Sequence, residues 1–192
     1  MKELNPTFVC DGGEDVEAIT VDIHLKDMTV SAISAYGPLE NAGAQKKSSF
    51  WEHLSEQAQR AKSLGKGLIL QGDLNSWLGP QCLPGDKKKT QNGNGKLFQK
   101  FLEQNQLTCV NSLPLTKGLI TRSRKYLDEI KESTIDFYVV CDCVLPLIQS
   151  MEIFHHTTHN LTNYYKSDNK YEAVSSDHAL LFMEVRLKPY LV

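Results

Sequence analysis

An aliphatic run, Leu68-Ile69-Leu70, breaks off into Gln71-Gly72-Asp73-Leu74-Asn75, and few folds accommodate that combination. Three consecutive large apolar residues read as a short strand buried on both faces, which requires a sheet with material packed above and below it. Gly72 then permits close backbone approach. Asp73 and Asn75 are two positions apart, so in an extended segment they project to the same side. A strand ending in a carboxylate and a carboxamide places both where ligands gather in α/β proteins. Taken alone, Gly-Asp-x-Asn fits a turn equally well, so the rest of the chain has to decide.

The surrounding pattern is that of one mixed α/β domain covering residues 1–192. From Ala18, the residues Ile19, Val21, Ile23 and Leu25 alternate with Thr20, Asp22 and His24, the mark of a half-buried strand. A second run from Thr29 to Tyr36 predicts a hairpin with it. Ser49 and Glu52 have capping-box spacing, and Phe50, Trp51, Leu54, Ala58, Ala61 and Leu64 follow at helical intervals, with Gly65 at the expected left-handed end. Residues 80–95 form a polar, Gly- and Asn-rich loop of functional length. Leu97, Phe98, Phe101 and Leu102 line a second helix, and Leu107 to Val110 reads as a strand. A polar, basic connection leads to the strand Ile135 to Val140. Met151 to Phe154 is a weaker strand, Asn160 to Tyr171 a polar loop, and Ala179 to Leu187 a final alternating strand.

Composition excludes several classes. No apolar run approaches the roughly 20 residues of a membrane span, and the first residues lack the apolar core of a signal peptide. Five cysteines, none spaced Cys-x-x-Cys, read as reduced thiols of an intracellular protein. His155, His156 and His159 lie close together, but no cysteine pattern completes a zinc site. A net charge of −2 gives no global attraction to nucleic acid. Binding to a phosphate backbone would fall to Lys87-Lys88-Lys89 and Arg122-Ser123-Arg124-Lys125, clusters that also suit solvated loops.

Three further segments place polar groups at strand ends. Ser175-Ser176-Asp177-His178 sets a carboxylate beside an imidazole, a pair suited to metal or acid–base chemistry. Thr134-Ile135-Asp136-Phe137 puts a charge into an apolar strand, where it needs a partner, and a histidine is a good one. Ser34-Ala35-Tyr36-Gly37-Pro38 ends a strand in a phenol, which by itself reads as a core tyrosine before a turn. Trp77, just past Asn75, fits equally a base-stacking ring or a cover for the site edge.

In this order and spacing, Tyr-x-Pro, Gly-Asp-Leu-Asn, Ile-Asp-Phe and Ser-Asp-His resemble the ordered motifs of the endonuclease/exonuclease/phosphatase superfamily. Asn92-Gly93-Asn94-Gly95-Lys96-Leu97-Phe98, the stretch Leu107 to Asn111, and Gly118 to Arg122 are most similar to the non-LTR retrotransposon branch. The resemblance runs from about Ala18 to Leu187. It implies a four-layer α/β sandwich, two mixed sheets face to face with helices outside. It also implies Mg²⁺- or Mn²⁺-dependent hydrolysis of a phosphodiester in DNA, hence a nuclear site of action. Asp73 would activate or orient the attacking water, Asn75 hold a non-bridging phosphate oxygen, and Asp136 orient His178. His178 would steady charge on phosphorus, Asp177 lie beside the metal as a direct or water-bridged ligand, and Tyr36 donate to the phosphate or help the leaving oxygen depart. Asn94 and Arg122 would contact substrate. A reverse transcriptase would accompany such a domain in an intact element.

The resemblance also implies a gap. The family's opening strand-helix-strand unit, with its Asn and metal-binding Glu, has no counterpart before Ala18; Glu14 and Glu17 sit in a polar lead-in. The expectation is a chain N-terminally truncated relative to the family, or one from a decayed gene copy. Its metal affinity and catalysis would be weakened or lost, and an exposed sheet edge would favour self-association. A small-molecule or lipid phosphatase, and a catalytically silent binding module, are the alternatives.

Overall fold

The computed structural model describes residues 5–11, 16–127, 129–154, 162–167 and 170–186. In chain order the elements are β1 (Asn5–Asp11), β2 (Ala18–His24), β3 (Thr29–Ala35), α1 (Ala44–Ser63), β4 (Gly67–Asp73), α2 (Gly79–Cys82), α3 (Gly93–Asn105), β5 (Leu107–Cys109), β6 (Thr116–Lys117), β7 (Arg122–Tyr126), β8 (Glu129–Ser133), β9 (Asp136–Cys141), β10 (Ile148–Phe154), β11 (Thr162–Ser167), β12 (Lys170–Ser175) and β13 (Leu180–Val185). The main sheet has the order β1-β2-β3-β4-β9-β5, parallel only between β3 and β4. A second sheet runs β13-β10-β6.

β4 lies inside the main sheet, and its alternation divides the core in two. Leu68 and Leu70 face α1 and α3, where Phe50, Trp51, Phe98, Phe101 and Phe137 assemble. Trp51 stacks on Phe98 with ring centroids 5.5 Å apart. On the other face, Ile69 joins Tyr138 and Val140 in packing against Met151, Ile153 and Leu181 of the second sheet. The short aliphatic strand is thus buried from both sides, as its sequence predicts. The described residues build three layers: helices, main sheet, second sheet. They place no helix outside the second sheet, the fourth layer of the expected sandwich. The outward-facing Leu180 and Phe182 of β13 are exposed. No helix among the described residues is long and apolar enough to cross a membrane.

The structure departs from the sequence reading in instructive places. α1 begins at Ala44, five residues before Ser49. Its N-cap is Gly43 with no side-chain cap, and Ser48 Oγ donates to Glu52 within the helix at 2.7 Å. Its end is as read: Gly65 has φ 64°, and Gly65 and Lys66 N–H donate to the carbonyls of Lys62 and Ala61. In β2 the buried face is the opposite of the apolar one, since Thr20 and Asp22 are 2% and 5% exposed and Ile19 is 52% exposed. Asp22 is acceptable under the helices because Lys66 pairs with it and Ser31 Oγ donates to it at 2.6 Å. Ile19 is left open because the second sheet's apolar cluster meets the main sheet at β4 and β9.

Three segments read as lead-in, connection or loop are strands. β1 pairs with β2, β7 with β8, and β11 with β12. The sequences of these short ladders have no sustained apolar period, so the signal that finds strands is missing from them. His155, His156 and His159 lie outside the described residues.

Two outcomes are expected. Phe98→Ala, which empties the helix–sheet core, costs about 3–5 kcal/mol in denaturant unfolding, whereas Phe182→Ser stays within about 1 kcal/mol. Burial works to raise the Asp22 carboxyl, but the Lys66 and Ser31 bonds outweigh it and hold it below the ordinary carboxylate range. Its stabilisation is therefore complete above the ordinary range and lost as pH falls through the lowered value. Asp22→Asn removes that part of the acid transition.

Candidate active site

Strand register assembles the site. β4 pairs with β9 so that Asp73 lies opposite Asp136. β3 and β4 run parallel with Ser34 opposite Gln71, which two residues later brings Tyr36 alongside Asp73. Gly37 N–H donates to the Asp73 carbonyl at 2.6 Å. Gly72 is required at the junction: with φ 147°, a Cβ there would sit 1.8 Å from the Ala35 carbonyl oxygen. Asn75 then turns the chain in the left-handed region, φ 47°. Its N–H donates to Asp73 Oδ1 at 2.9 Å, and its Nδ2 to the Gly37 carbonyl at 2.8 Å.

The histidine arrives on a separate backbone. Ser123 N–H donates to the Asp177 carbonyl at 2.8 Å and Ala179 N–H to the Thr121 carbonyl at 2.7 Å, so the Ser-Asp-His segment is laced to the start of β7. His178 Nδ1 lies 3.1 Å from both oxygens of Asp136. A carboxylate can only accept, so Nδ1–H is the donor. Nε2 faces Asp73 at 3.9 Å and Asp177 at 3.7 Å.

The electrostatics follow from this crowding. The Asp136 hydrogen bond raises the His178 imidazole above its ordinary range. Burial opposes the rise, and the charges of Asp136, Asp73 and Asp177 add to it. Burial pushes the Asp73 carboxyl up to about 6 against the Asn75 N–H bond; Asp136 adds to the rise, and His178 and Arg122 reduce it. For Asp177 burial also works upward, but Arg122 and His178 hold it below the ordinary range.

The remaining residues expected at the site fall into two groups. Tyr36 stands exposed at the rim. Arg122 Nε donates to Asp177 Oδ2 at 2.9 Å, so these two meet each other. The acidic cluster close enough to share an ion comprises Asp73, Asp136 and His178, without Asp177. Asn94 is fully buried, with Nδ2 donating to the Pro38 carbonyl and, at 3.4 Å, to that of Asn75. From the first turn of α3 it braces the Asn75 turn from beneath instead of reaching a substrate.

Sequence reasoning missed the residues that fix the backbone. Buried Thr121 Oγ1 accepts from the N–H groups of Ile135 and Asp136 at 2.9 and 3.1 Å. Asn111 Nδ2 donates to the Asp136 carbonyl at 3.0 Å, and its Oδ1 accepts from Tyr138 N–H at 2.9 Å. Asn92 Oδ1 caps α3 through Gly95 N–H at 2.7 Å and also accepts from Trp77 N–H at 3.0 Å. A helix-start asparagine was legible for Asn92. Thr121 and Asn111 lie in stretches that carry the family resemblance, but no local spacing marks them as braces of the Asp136 backbone.

No protein-family model matches the sequence, and no curated protein matches it significantly. Solved structures do. The endonuclease domain of TRAS1, a telomere-specific non-LTR retrotransposon, aligns with 98% of this chain and 72% of its own, at 18% identity and TM-score 0.65. The 3'-5' exonuclease NExo from Neisseria meningitidis aligns with 96% of this chain and 72% of its own, at 16% identity and TM-score 0.62. A beta toxin structure from Staphylococcus aureus with bound magnesium ions covers 89% and 58%, at 15% identity and TM-score 0.55. The fold is that of the endonuclease/exonuclease/phosphatase superfamily.

In this endonuclease/exonuclease/phosphatase fold, the donor set suits a hard divalent cation. Asp73, Asp136 and His178 offer ligand atoms within 4.8 Å of one another. Carboxylate oxygens fit a hard divalent cation better than a soft metal. Cation binding requires the ionised Asp73, so a metal competes with the proton that leaves near pH 6.

In the metal-free protein, NMR titration is expected to give an Asp73 midpoint near 6 and a His178 midpoint above the ordinary imidazole value. Asp136→Asn lowers the His178 midpoint. A His178 midpoint indifferent to Asp136 would remove the pairing.

Proposed function

We propose that this chain is a divalent-metal-dependent phosphodiester hydrolase of the retrotransposon-type DNA endonuclease kind. The observation that carries the reading is the alignment of Asp73, His178 and Asp136, with Nδ1 bonded to Asp136 and Nε2 facing Asp73. The likeness to the TRAS1 endonuclease domain, and to NExo, also solved with a product DNA hairpin, supports DNA as the substrate class.

Each residue then has a part. Asp73, ionised above about pH 6, takes the proton of the attacking water. Asn75 Nδ2 carries a second hydrogen beyond the one donated to Gly37, and that hydrogen goes to a non-bridging phosphate oxygen. His178, its imidazole raised above the ordinary range by the Asp136 hydrogen bond, faces the charge gathering on the phosphoryl group; Asp136 is a positioning residue that acts through it. Tyr36 donates to the leaving oxygen from the rim. Arg122, oriented by Asp177, presents its remaining N–H donors to a neighbouring phosphate. A cation held by Asp73 and Asp136 would supply Lewis-acid polarisation of the phosphoryl oxygen.

One observation favours a second reading, a catalytically silent DNA-binding module. Among the described residues no glutamate joins the acidic cluster. Glu17 is exposed and engages Tyr36 N–H through its backbone carbonyl, and Glu14 lies outside the described residues.

Supercoiled-plasmid nicking in Mg²⁺ separates the two. Nicking is expected to be abolished by Asp73→Ala and His178→Ala. Asp136→Asn should lower it by about 10²–10⁴-fold and move the pH profile. Plasmid bound but never nicked by folded wild-type chain would establish the silent module instead.

A further inference from the structure

A groove of about 510 Å³ opens beside Asn75, and its walls are chemically unlike each other. One wall is built from Trp77, in the loop after β4, and Lys88, in the segment between α2 and α3. The other is the β7–β8 hairpin, with Arg122, Arg124 and Lys131. The walls are joined by an ion pair between Lys87 and Glu132. The lining has more basic than acidic residues, and its two glutamates already have cationic partners, Lys47 for Glu40 and Lys87 for Glu132.

Trp77 is the informative residue. It belongs to neither apolar core, in contrast to Trp51, which is buried among phenylalanines. Its backbone is nonetheless rigidly set. Trp77 N–H donates to Asn92 Oδ1, Asn92 Nδ2 donates to the Asn75 carbonyl at 3.0 Å, and a Cβ at Gly95 would lie 1.9 Å from the Trp77 carbonyl oxygen. The same asparagine therefore ties the indole to the Asn75 turn. The Lys88 ammonium sits over the ring, 4.5 Å from its centroid. A large, partly buried ring lining a basic groove, fixed to the Asn75 turn and unused by the core, is suited to stack against a second π system.

We propose that this groove is the subsite for the nucleotide next to the scissile phosphate. An unpaired base stacks on the Trp77 indole, displacing the Lys88 ammonium from over the ring onto one flanking phosphate, while Arg124 meets the other. A base inside a duplex has both faces covered, so the subsite takes a single-stranded or unstacked nucleotide. A sugar phosphate has the charge but no π face, and would gain nothing from Trp77. The inference rests on the DNA hydrolase reading and adds to it the strand state of the substrate.

The test uses the full chain without divalent metal, and two labelled oligonucleotides of equal length: a single strand with bases, and an abasic strand with sugar and phosphate alone. Anisotropy gives affinity and tryptophan emission reports the indole. Wild type is expected to bind the strand with bases more tightly and to lose tryptophan emission as it binds. Trp77→Ala should weaken that strand by between about fivefold and 150-fold and leave the abasic strand unchanged, with Trp77→Phe retaining most of the affinity. Thermal unfolding matching wild type confirms that the variants are folded. Equal wild-type affinity for the two strands overturns the stacking subsite, and so does an equal loss for both in Trp77→Ala. Should wild type still nick plasmid in either case, the subsite alone has failed. Should it neither nick plasmid nor bind either oligonucleotide, the hydrolase reading fails with it.

Discussion

Two carboxylates face each other across paired strands, and everything at the site depends on how that repulsion is relieved. Antiparallel neighbours in register stand only about 5 Å apart, and like charges there are destabilising. Asp73 and Asp136 hold that relation because His178 reaches both, hydrogen-bonded to one and facing the other. The imidazole is raised by this company, and burial pushes Asp73 up to about 6. Asp73 therefore gives up its proton at higher pH than an ordinary carboxylate, and His178 at higher pH than an ordinary imidazole.

That arrangement is supported from beneath by groups with no charge. Thr121 and Asn111 tie down the backbone of Asp136, while Asn92 and Asn94 tie down the turn that carries Asn75. Each is an amide or hydroxyl satisfying main-chain groups at a sheet end, where the ladder stops and unpaired N–H and C=O groups would otherwise be left. The two-sided core then holds the β4–β9 pair rigid, with helices on one face and the second sheet on the other. Apolar surface beyond that core is less well covered: Phe8, Ile19, Leu180 and Phe182 are exposed.

Much of the site was legible in the chain because its motifs are local. Gly-Asp-Leu-Asn, Ile-Asp-Phe and Ser-Asp-His each place a polar group at the end of a strand, and the structure brings Asp73, Asp136 and His178 together. The surroundings were harder to read. Ile19 and Asp22 show that alternation fixes which residues share a face but leaves open which face is covered. The hairpin β7–β8 was invisible because Arg122, Ser123 and Arg124 have no apolar period. Asn94, expected to contact substrate, is fully buried beneath the Asn75 turn.

By itself the sequence determined the strand-end motifs, the two amphipathic helices, and a buried strand that demands packing on both faces. These rest on local spacing and on the polarity of individual side chains. Only the tertiary structure decided that Arg122 binds Asp177, that His178 lies between Asp73 and Asp136, and that Trp77 faces a basic groove. Those relations join residues dozens of positions apart, and nothing in the spacing of a linear chain encodes which strand ends will meet. Register and crossover connections fix that, and both are settled by packing the whole sheet at once.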